Sequence, residues 1–211
     1  MILKQSKRFL TVIGLSGGIA SGKSKVGELL EKKSGLLIDA DKIGHKVIQL
    51  GPVKKILRSW LGSGVFDADG SVDHDKLAAA VFGSVKNVRR MNKIVHPLIK
   101  KEIVNIIARS KSGNPGRKKF IILDAALLME AGLDAVCDTL IFVEAPKDIR
   151  RMRVSESRGW NKGELARRER FQMSLKLKEG KSNFVIHNNG SLKDLFCQVN
   201  EIYKFINALS N

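Results

Sequence analysis

The sequence has few of the features that mark secreted or membrane proteins. It has two cysteines among 211 residues, Cys137 and Cys197, which lie far apart and form no metal-binding pattern. No apolar run approaches the roughly 20 residues that a membrane-spanning helix needs. The basic residues near the start are followed by only a short apolar run, which argues against a signal peptide. We therefore expect a reduced, cytoplasmic protein with no membrane partner.

Aromatic and acidic residues are also scarce. Aromatic residues make up 6% of the chain, and no basic stripe is interleaved with them, so a surface that stacks single-stranded nucleic acid is not predicted. The 21 acidic residues are outnumbered by 38 lysines and arginines, which gives a net charge of +17. Such a field attracts phosphate groups, but it does not say whether they belong to a nucleotide, a cofactor, nucleic acid or a membrane.

Five short apolar segments predict the strands of one parallel sheet. They are mostly continuous rather than alternating, which is typical of strands buried on both faces. The segments are 9–14, 36–39, 120–124, 139–145 and 183–188. Helical patterns separate them, and the clearest one follows Ser191, which is the predicted N-cap. This alternation predicts an α/β fold with three layers.

Two intervals are too long for simple crossovers. About 80 residues separate the second and third predicted strands, and residues 42–113 are therefore predicted to form a helical lobe. Its predicted helices are 42–50, 52–61, 74–82, 85–94 and 97–109. The last is predicted to begin at Pro97, because a first helical turn tolerates proline. Residues 111–119 are predicted to be the polar loop that returns to the core.

The second long interval is strongly basic. Residues 147–181 hold 12 lysines and arginines against 5 acidic residues, and we call this segment the lid because it is predicted to close over phosphates. Together these intervals predict three parts. They are a nucleotide-binding core of 1–41, 114–146 and 182–211, the lobe of 42–113, and the lid.

Residues 16–26, SGGIASGKSKV, predict a phosphate-binding loop. The pattern Gly17-x-x-x-x-Gly22-Lys23-Ser24 lies between a predicted strand and a predicted helix, which is the context the motif requires. Its backbone N–H groups and the helix N-terminus bind an anion. Lys23 is predicted to reach the β- and γ-phosphates, and the Ser24 hydroxyl to bind Mg²⁺. The predicted nucleotide contacts are Gly17, Gly18, Ile19, Ala20, Ser21, Gly22, Lys23, Ser24 and Lys25.

Carboxylates end two of the predicted strands, at the edge where open α/β sheets bind ligands. Asp39 and Asp41 follow the second strand, and one of them is predicted to accept a proton from a substrate hydroxyl; alternatively, Asp41 caps the next helix. Asp124 ends the third strand and is predicted to hold Mg²⁺, directly or through water; alternatively, it is only a polar strand end. Glu130 is predicted to be a surface or ion-pairing residue.

Seven arginines are concentrated in the lid. They are Arg150, Arg151, Arg153, Arg158, Arg167, Arg168 and Arg170. Guanidinium groups suit phosphate oxygens, and one on a mobile lid neutralises charge that develops on the transferred group. We predict a catalytic role for Arg158 and nucleotide contacts for Arg153 and Arg167. The alternative is a solvated helix face, in which the arginines pair with glutamates of the same segment.

Seven stretches in this order resemble the dephospho-CoA kinase family, almost from end to end. The resemblance does not rest on the glycine loop alone, because IDAD, HPLI and the NNG segment follow it at the family's spacing. The stretches are GLSGGIASGKSKV, LIDADKIGHKVI, DGSVDHDKLAAAVF, MNKIVHPLI, LDAALLME, ARRERFQ and FVIHNNGS.

The resemblance implies a fold and a reaction. The fold is that of P-loop nucleoside-monophosphate kinases, with a five-stranded parallel sheet, a helical substrate lobe and a lid insertion. The reaction is the phosphorylation of the ribose 3′-hydroxyl of dephospho-CoA by ATP with Mg²⁺, the last step of coenzyme A biosynthesis. We expect a monomer with this small-molecule substrate and no nucleic-acid partner.

The resemblance also implies roles for individual residues. It favours Asp41 as the base, with Asp39 orienting the hydroxyl or holding a Mg²⁺-bound water, and it implies that Asn188 lies against the adenine of ATP. Substrate contacts are expected from Asp41, Leu77, His96 and Asp124. For His96 the alternative is a structural role beside a helix start.

The sequence departs from the family pattern at six positions. These are Ser16 and Lys25 in place of threonine, His74 in place of arginine, Ala126 in place of proline, and Asn183 and His187 in place of aspartate. His74 puts in doubt any substrate contact that the arginine makes. Two other functions stay open from the residues: another small-molecule kinase on the same core, and a P-loop ATPase that engages nucleic acid through its positive charge.

Overall fold

The computed structural model describes residues 10–112 and 118–209, apart from the side chains of Lys162 and Leu209. The predictions for Phe9 and for most of the loop 111–119 therefore lie outside the described residues. Within the described part, no helix combines the length and the apolar character needed to cross a membrane.

All five predicted strands are present and form one sheet. The strands are β1 Thr11–Gly17, β2 Gly35–Asp39, β3 Phe120–Asp124, β4 Thr139–Glu144 and β5 Phe184–His187. Their order is β2-β3-β1-β4-β5, and β1 pairs in parallel with both β3 and β4. Residues of the central strands, such as Ile13, Ile122 and Val143, have no exposed surface. The continuous apolar pattern therefore predicted buried parallel strands correctly.

Nine α-helices are present among the described residues. They are α1 Lys23–Glu31, α2 Ala40–Ile48, α3 Gly51–Leu61, α4 His74–Phe82, α5 Val85–Ser112, α6 Lys147–Arg158, α7 Lys162–Glu169, α8 Leu175–Gly180 and α9 Leu192–Leu209. Ser191 caps α9 as predicted, because its Oγ accepts a hydrogen bond from the Asp194 N–H at 3.2 Å.

The prediction that a helix begins at Pro97 is wrong. Pro97 lies inside α5, which runs without a break through both predicted helical segments. An interior proline removes one backbone hydrogen bond and costs about 3 kcal/mol. Here, apolar side chains on both sides of it are buried, including Val88, Val95 and Ile103, so packing carries the helix through the proline.

The chain divides into two compact units. The first comprises Met1–Ile38 and Ile106–Asn211, and the second comprises Asp39–Asn105. The first unit holds the sheet with a core that includes Leu15 and Leu195, and it includes the lid. The second unit holds α2 to α4 and most of α5. Asp39 and Asp41 belong to this second unit, although the prediction assigned them to the core; the functional division into three parts stays a prediction.

Candidate functional site

The glycine loop joins the end of β1 to the start of α1 and has a strongly turned backbone. Gly17 and Gly22 have φ angles of 148° and 98°, which other residues rarely adopt, and Ala20 has a φ of 58°. A Cβ atom at Gly17 would lie 2.5 Å from the Val143 carbonyl oxygen, and one at Gly18 would lie 2.9 Å from Arg150 Nη1. Both glycines are therefore needed for close packing against β4 and α6.

Lys23 is the first residue of α1, and its ammonium group is held against the loop. The side chain is buried, and its Nζ donates to the carbonyl oxygen of Gly18 at 2.7 Å and to that of Gly17 at 3.4 Å. The N-cap residue of α1 is Gly22, which has no side chain to cap the first N–H groups. A positive side chain and uncapped N–H groups at one helix N-terminus suit a phosphate ligand.

Ser24 and Asp124 are brought together from α1 and β3. The Ser24 hydroxyl donates to Asp124 Oδ2 at 2.6 Å. Asp124 is opposite Leu15 in the sheet, so β-pairing places its carboxylate beside the loop that follows β1. Two hard oxygen donors at a phosphate loop suit Mg²⁺, which keeps several waters and takes its other ligands from phosphates. Among the described residues no group of three or more His, Cys, Asp or Glu could hold a metal alone.

Arg153 and Asn188 close the far side of the loop. Asn188 is buried, and its Nδ2 donates to the Ser21 carbonyl oxygen at 2.7 Å. Arg153 Nη1 lies 3.3 Å from the carbonyl oxygens of both Ala20 and Ser21, and its Nη2 donates to the Asn188 carbonyl oxygen at 3.1 Å. The structure thus places both residues at the loop, and their nucleotide contacts stay predictions.

Arg150 was among the seven arginines of the lid but was not selected as a nucleotide contact, and the structure places it beside the loop. Its side chain is buried, and it donates from Nε to the Ala145 carbonyl oxygen at 3.1 Å and from Nη1 to that of Ile19 at 3.5 Å. Nη1 also forms an ion pair with Glu169. The available signal was the spacing of Arg150 and Arg153, which places both on one face of a helix that directly follows a strand.

The other arginines selected from the lid have their described contacts within the lid. The Arg158 guanidinium lies 4.9 Å from the centre of the Trp160 ring. Arg167 pairs with Glu164 through hydrogen bonds of 2.9 and 3.0 Å. These hydrogen bonds lower the pKa of Glu164, with a further contribution from Arg168. Arg158 and Arg167 are exposed, so the structure leaves both accessible to a ligand.

The carboxylates after β2 have different local roles. The strand ends at Asp39, which is the N-cap of α2; its Oδ1 accepts from the Lys42 N–H at 2.9 Å, and its Oδ2 lies 3.4 Å from Lys42 Nζ. Asp41 lies in the first turn of α2 and is exposed. The alternative that Asp41 caps this helix is therefore wrong, because Asp39 is two residues earlier, where the strand ends and the helix begins.

Two further predicted substrate contacts also belong to the second unit. Leu77 is only 5% exposed in α4, so its side chain has little surface left for a ligand. His96 is partly buried inside α5 and does not precede a helix start, contrary to the predicted alternative.

Glu130 forms the predicted ion pair. Its Oε1 lies 2.9 Å from Lys178 Nζ and accepts a hydrogen bond from the Met173 N–H at 2.8 Å. Lys178 is 2% exposed, so this pair fastens the end of the lid to the segment after β3.

The arrangement around β1 identifies the class of protein. A parallel sheet whose first strand turns through a glycine loop into a helix N-terminus, with Lys23 in the loop and a serine–carboxylate pair beside it, defines a P-loop nucleotide-binding protein. The class alone leaves the substrate open.

Comparisons with known proteins define the family. A family profile described as dephospho-CoA kinase matches residues 11–194. A dephospho-CoA kinase of Bacillus licheniformis is 34% identical over 192 residues, which cover 90% of this chain and 94% of that protein. The chain belongs to the dephospho-CoA kinase family and is a kinase, as the resemblance implied.

Solved structures agree on the fold. The crystal structure of TT1252 from Thermus thermophilus matches with a TM-score of 0.75 at 26% identity, covering 93% of this chain and 97% of that one. A dephospho-CoA kinase from Campylobacter jejuni matches with a TM-score of 0.68 at 21% identity, covering 92% and 96%. The P-loop kinase fold predicted from the sequence is therefore confirmed.

Proposed function

We propose that this protein transfers the γ-phosphoryl group of ATP to the ribose 3′-hydroxyl of dephospho-CoA, giving coenzyme A and ADP. Family membership supports this reaction. The structural observation that carries the proposal is the glycine loop, which bears Lys23 and is closed by Arg153 and Asn188.

The loop binds and orients the phosphates. Its N–H groups and the Lys23 ammonium hold the β- and γ-phosphates, so negative charge is neutralised where the phosphoryl group leaves. Asn188 donates to the Ser21 carbonyl oxygen and is proposed to lie against the adenine of ATP. Such a preformed loop acts by positioning, which is the main source of rate acceleration in phosphoryl transfer.

Ser24 and Asp124 are the residues that would hold Mg²⁺. Their 2.6 Å hydrogen bond joins a hydroxyl and a carboxylate, the hard oxygen donors that this ion prefers. When bound, Mg²⁺ would neutralise negative charge on the phosphates. Asp124 accepts a hydrogen bond from the Ser24 hydroxyl and so orients it. This arrangement favours Asp124 as a residue that would hold Mg²⁺ directly or through water.

In the second unit, Asp41 is the proposed base. Asp39 caps α2 and pairs with Lys42, and Asp41 lies exposed in the first turn of the same helix. Asp41 would accept the proton of the attacking hydroxyl, and Asp39 would fix the start of the helix that carries it. His96 and Leu77 remain predicted contacts of the acceptor, and the burial of Leu77 favours a role in packing.

The lid supplies the remaining positive charge. Arg158 and Arg167 are exposed and are proposed to meet the phosphates when the lid closes, while Arg153 supports the loop. Closure would exclude water, which competes with the acceptor for the phosphoryl group. The cytoplasmic location and the monomeric state expected from the sequence are part of this proposal.

The test is an acceptor panel. The purified protein is given ATP and Mg²⁺ with dephospho-CoA, with nucleoside monophosphates, with other hydroxyl compounds, or with nucleic acid, and each product is weighed by mass spectrometry. We expect acceptor-dependent ADP release only with dephospho-CoA, whose mass rises by one phosphate. Transfer to another acceptor would show that dephospho-CoA is not the substrate. ATP hydrolysis stimulated by nucleic acid would show that the protein is an ATPase rather than a small-molecule kinase.

A further inference from the structure

The turn between α6 and α7, at the tip of the lid, is tightly built. Gly159 ends α6 in the left-handed conformation, with a φ of 63°, and the Trp160 N–H donates to the Val154 carbonyl oxygen at 3.3 Å. Asn161 then caps α7, because its Oδ1 accepts from the N–H groups of Gly163 and Glu164, both at 3.1 Å. Trp160 is thus fixed between two capped helix ends.

The Trp160 ring faces arginines from both helices. Arg158 of α6 lies 4.9 Å from the ring centre, and Arg168, the next-to-last residue of α7, lies 4.3 Å from it. A guanidinium within about 6 Å of an indole centre is attracted by the ring's negative face. One aromatic side chain therefore gathers two cations that would otherwise repel each other.

Glu164 pairs with two arginines of α7. Arg167 Nη2 lies 2.8 Å from Glu164 Oε2, and Arg168 Nε lies 2.7 Å from its Oε1. The segment that carries these arginines has 12 lysines and arginines against 5 acidic residues. This excess of positive charge and the fork-shaped donors suit the oxygens of a polyphosphate.

We propose that Trp160 is a positioning residue for phosphoryl transfer. Its ring holds Arg158 and Arg168 in a preformed pair, and Trp160 acts through these guanidinium groups rather than on the reacting atoms. The inference rests on the proposed function, in which Arg158 meets the phosphates. A preformed pair needs less reordering as charge develops on the transferred group, so more of its attraction is gained in the transition state than in the bound ground state.

The first experiment compares substitutions of Trp160 by steady-state kinetics with dephospho-CoA. We expect Trp160→Leu to lower kcat about 10-fold with the KM for ATP within about 2-fold of wild type, because the loop contacts of Arg153 and Asn188 are untouched. Trp160→Phe keeps an aromatic face and should stay within about 3-fold of wild type. Trp60→Leu is the matched control, since Trp60 faces Arg90 at 4.6 Å in the second unit, and its kcat should stay within about 2-fold.

A mutant cycle tests whether Trp160 acts through its two arginines. In a background that carries both Arg158→Ala and Arg168→Ala, Trp160→Leu should lower kcat less than about 3-fold. An undiminished 10-fold effect there would overturn the proposal, as would a Trp160→Phe variant that is as slow as Trp160→Leu. Thermal melting accompanies every variant, and if Trp160→Leu does not fold, the cycle is measured with Trp160→Met.

A fluorescence titration keeps the inference separate from the proposed acceptor. In a Trp60→Phe protein, Trp160 is the only tryptophan, and its emission can be followed as ATP is added without any acceptor. We expect a saturable change in emission that Arg158→Ala reduces at least about 3-fold in amplitude. Failure of dephospho-CoA to react would remove the proposed function alone, whereas emission that does not respond to ATP would overturn the role of Trp160.

Discussion

Arginines of the same basic segment have opposite surroundings at the two ends of the lid. At the base of α6, Arg150 is 3% exposed, and its donors reach the Ala145 and Ile19 carbonyl oxygens and Glu169. At the tip, the Arg167 side chain is 44% exposed and pairs with Glu164, on its own helix. Charge density alone therefore does not indicate function, because arginines of the same basic segment differ in burial and in their hydrogen-bond and ion-pair partners.

The base arginines belong to the architecture of the phosphate loop. A buried guanidinium must satisfy five N–H donors, and carbonyl oxygens of the loop accept several from Arg150 and Arg153. The described contacts of the tip arginines are with the Trp160 ring and with Glu164, and Arg158 and Arg167 are exposed. The base should therefore determine stability and nucleotide affinity, and the tip should determine the rate of transfer.

The largest effect is expected in the loop itself. Lys23→Ala removes the charged side chain of the motif whose ammonium group contacts the loop backbone. The kcat should therefore fall about 100-fold or more. Lys32→Ala, at the exposed other end of α1, is the control and should retain wild-type kcat. Circular dichroism must show an intact fold in both variants. A Lys23→Ala enzyme with near-wild-type kcat would remove the loop from the mechanism.

The next effect distinguishes buried from exposed arginines of α6. Arg150→Ala removes the buried partner of Glu169 and the donor to the Ala145 and Ile19 carbonyl oxygens, and it should lower the free energy of unfolding by about 3 kcal/mol. Arg151→Ala breaks an exposed ion pair with Asp148 at 3.0 Å, and the free energy of unfolding should change by less than about 0.5 kcal/mol. Urea denaturation measures both. Equal losses of unfolding free energy in the two variants would contradict the proposed difference between the buried Arg150 and the exposed Arg151.

A smaller effect concerns nucleotide affinity. Asn188→Ala removes the donor to the Ser21 carbonyl oxygen, and the KM for ATP should rise about 10-fold with a smaller change in kcat. Gln198→Ala is a matched control, because its amide bonds to the His187 backbone at 2.8 and 2.9 Å without contacting the loop. Its KM for ATP should be unchanged. If both variants raised the KM for ATP equally, the effect would come from a general disturbance at the end of β5 and not from the contact between Asn188 and the loop.

The smallest effect is a pH dependence at the tip. The pKa of Glu164 is lowered below its ordinary value of 4.5 by hydrogen bonds from Arg167 and then Arg168. Its contribution to stability is therefore present above that value and is lost as the pH falls through the lowered pKa. Exposure limits it to less than about 1 kcal/mol. Glu164→Gln should be less stable than wild type at pH 7, and the difference should shrink below pH 4.5 in urea titrations. A constant difference would contradict the ion-pair account.

The sheet could be predicted because its signal is local. Continuous apolar runs gave all five strands, and the glycine pattern placed the loop between β1 and α1. The prediction at Pro97 failed because the local preference of proline was opposed by packing on both sides, which sequence spacing does not report. The capping residue of α2 was missed for a similar reason: two aspartates separated by one residue offer two caps, and only the end of β2 decides between them.

The lid shows where sequence reasoning reaches its limit. Seven arginines have the same chemistry, and only the folded chain shows that Arg150 is buried beside Ile19 while Arg167 is exposed beside Glu164. Arg153 lies at the loop, and its nucleotide contact stays a prediction. The role of Trp160 gave no sequence signal, because its two arginine partners come from different helices.

The most direct test of the account is the stoichiometry of the reaction. Purified protein, ATP, Mg²⁺ and dephospho-CoA are mixed, and ADP and coenzyme A are quantified together over time, with Lys23→Ala as the blank. We expect one ADP for each coenzyme A, and formation of both products at least about 100-fold slower with Lys23→Ala. ADP that forms at the same rate without dephospho-CoA, or that accumulates without coenzyme A, would contradict it.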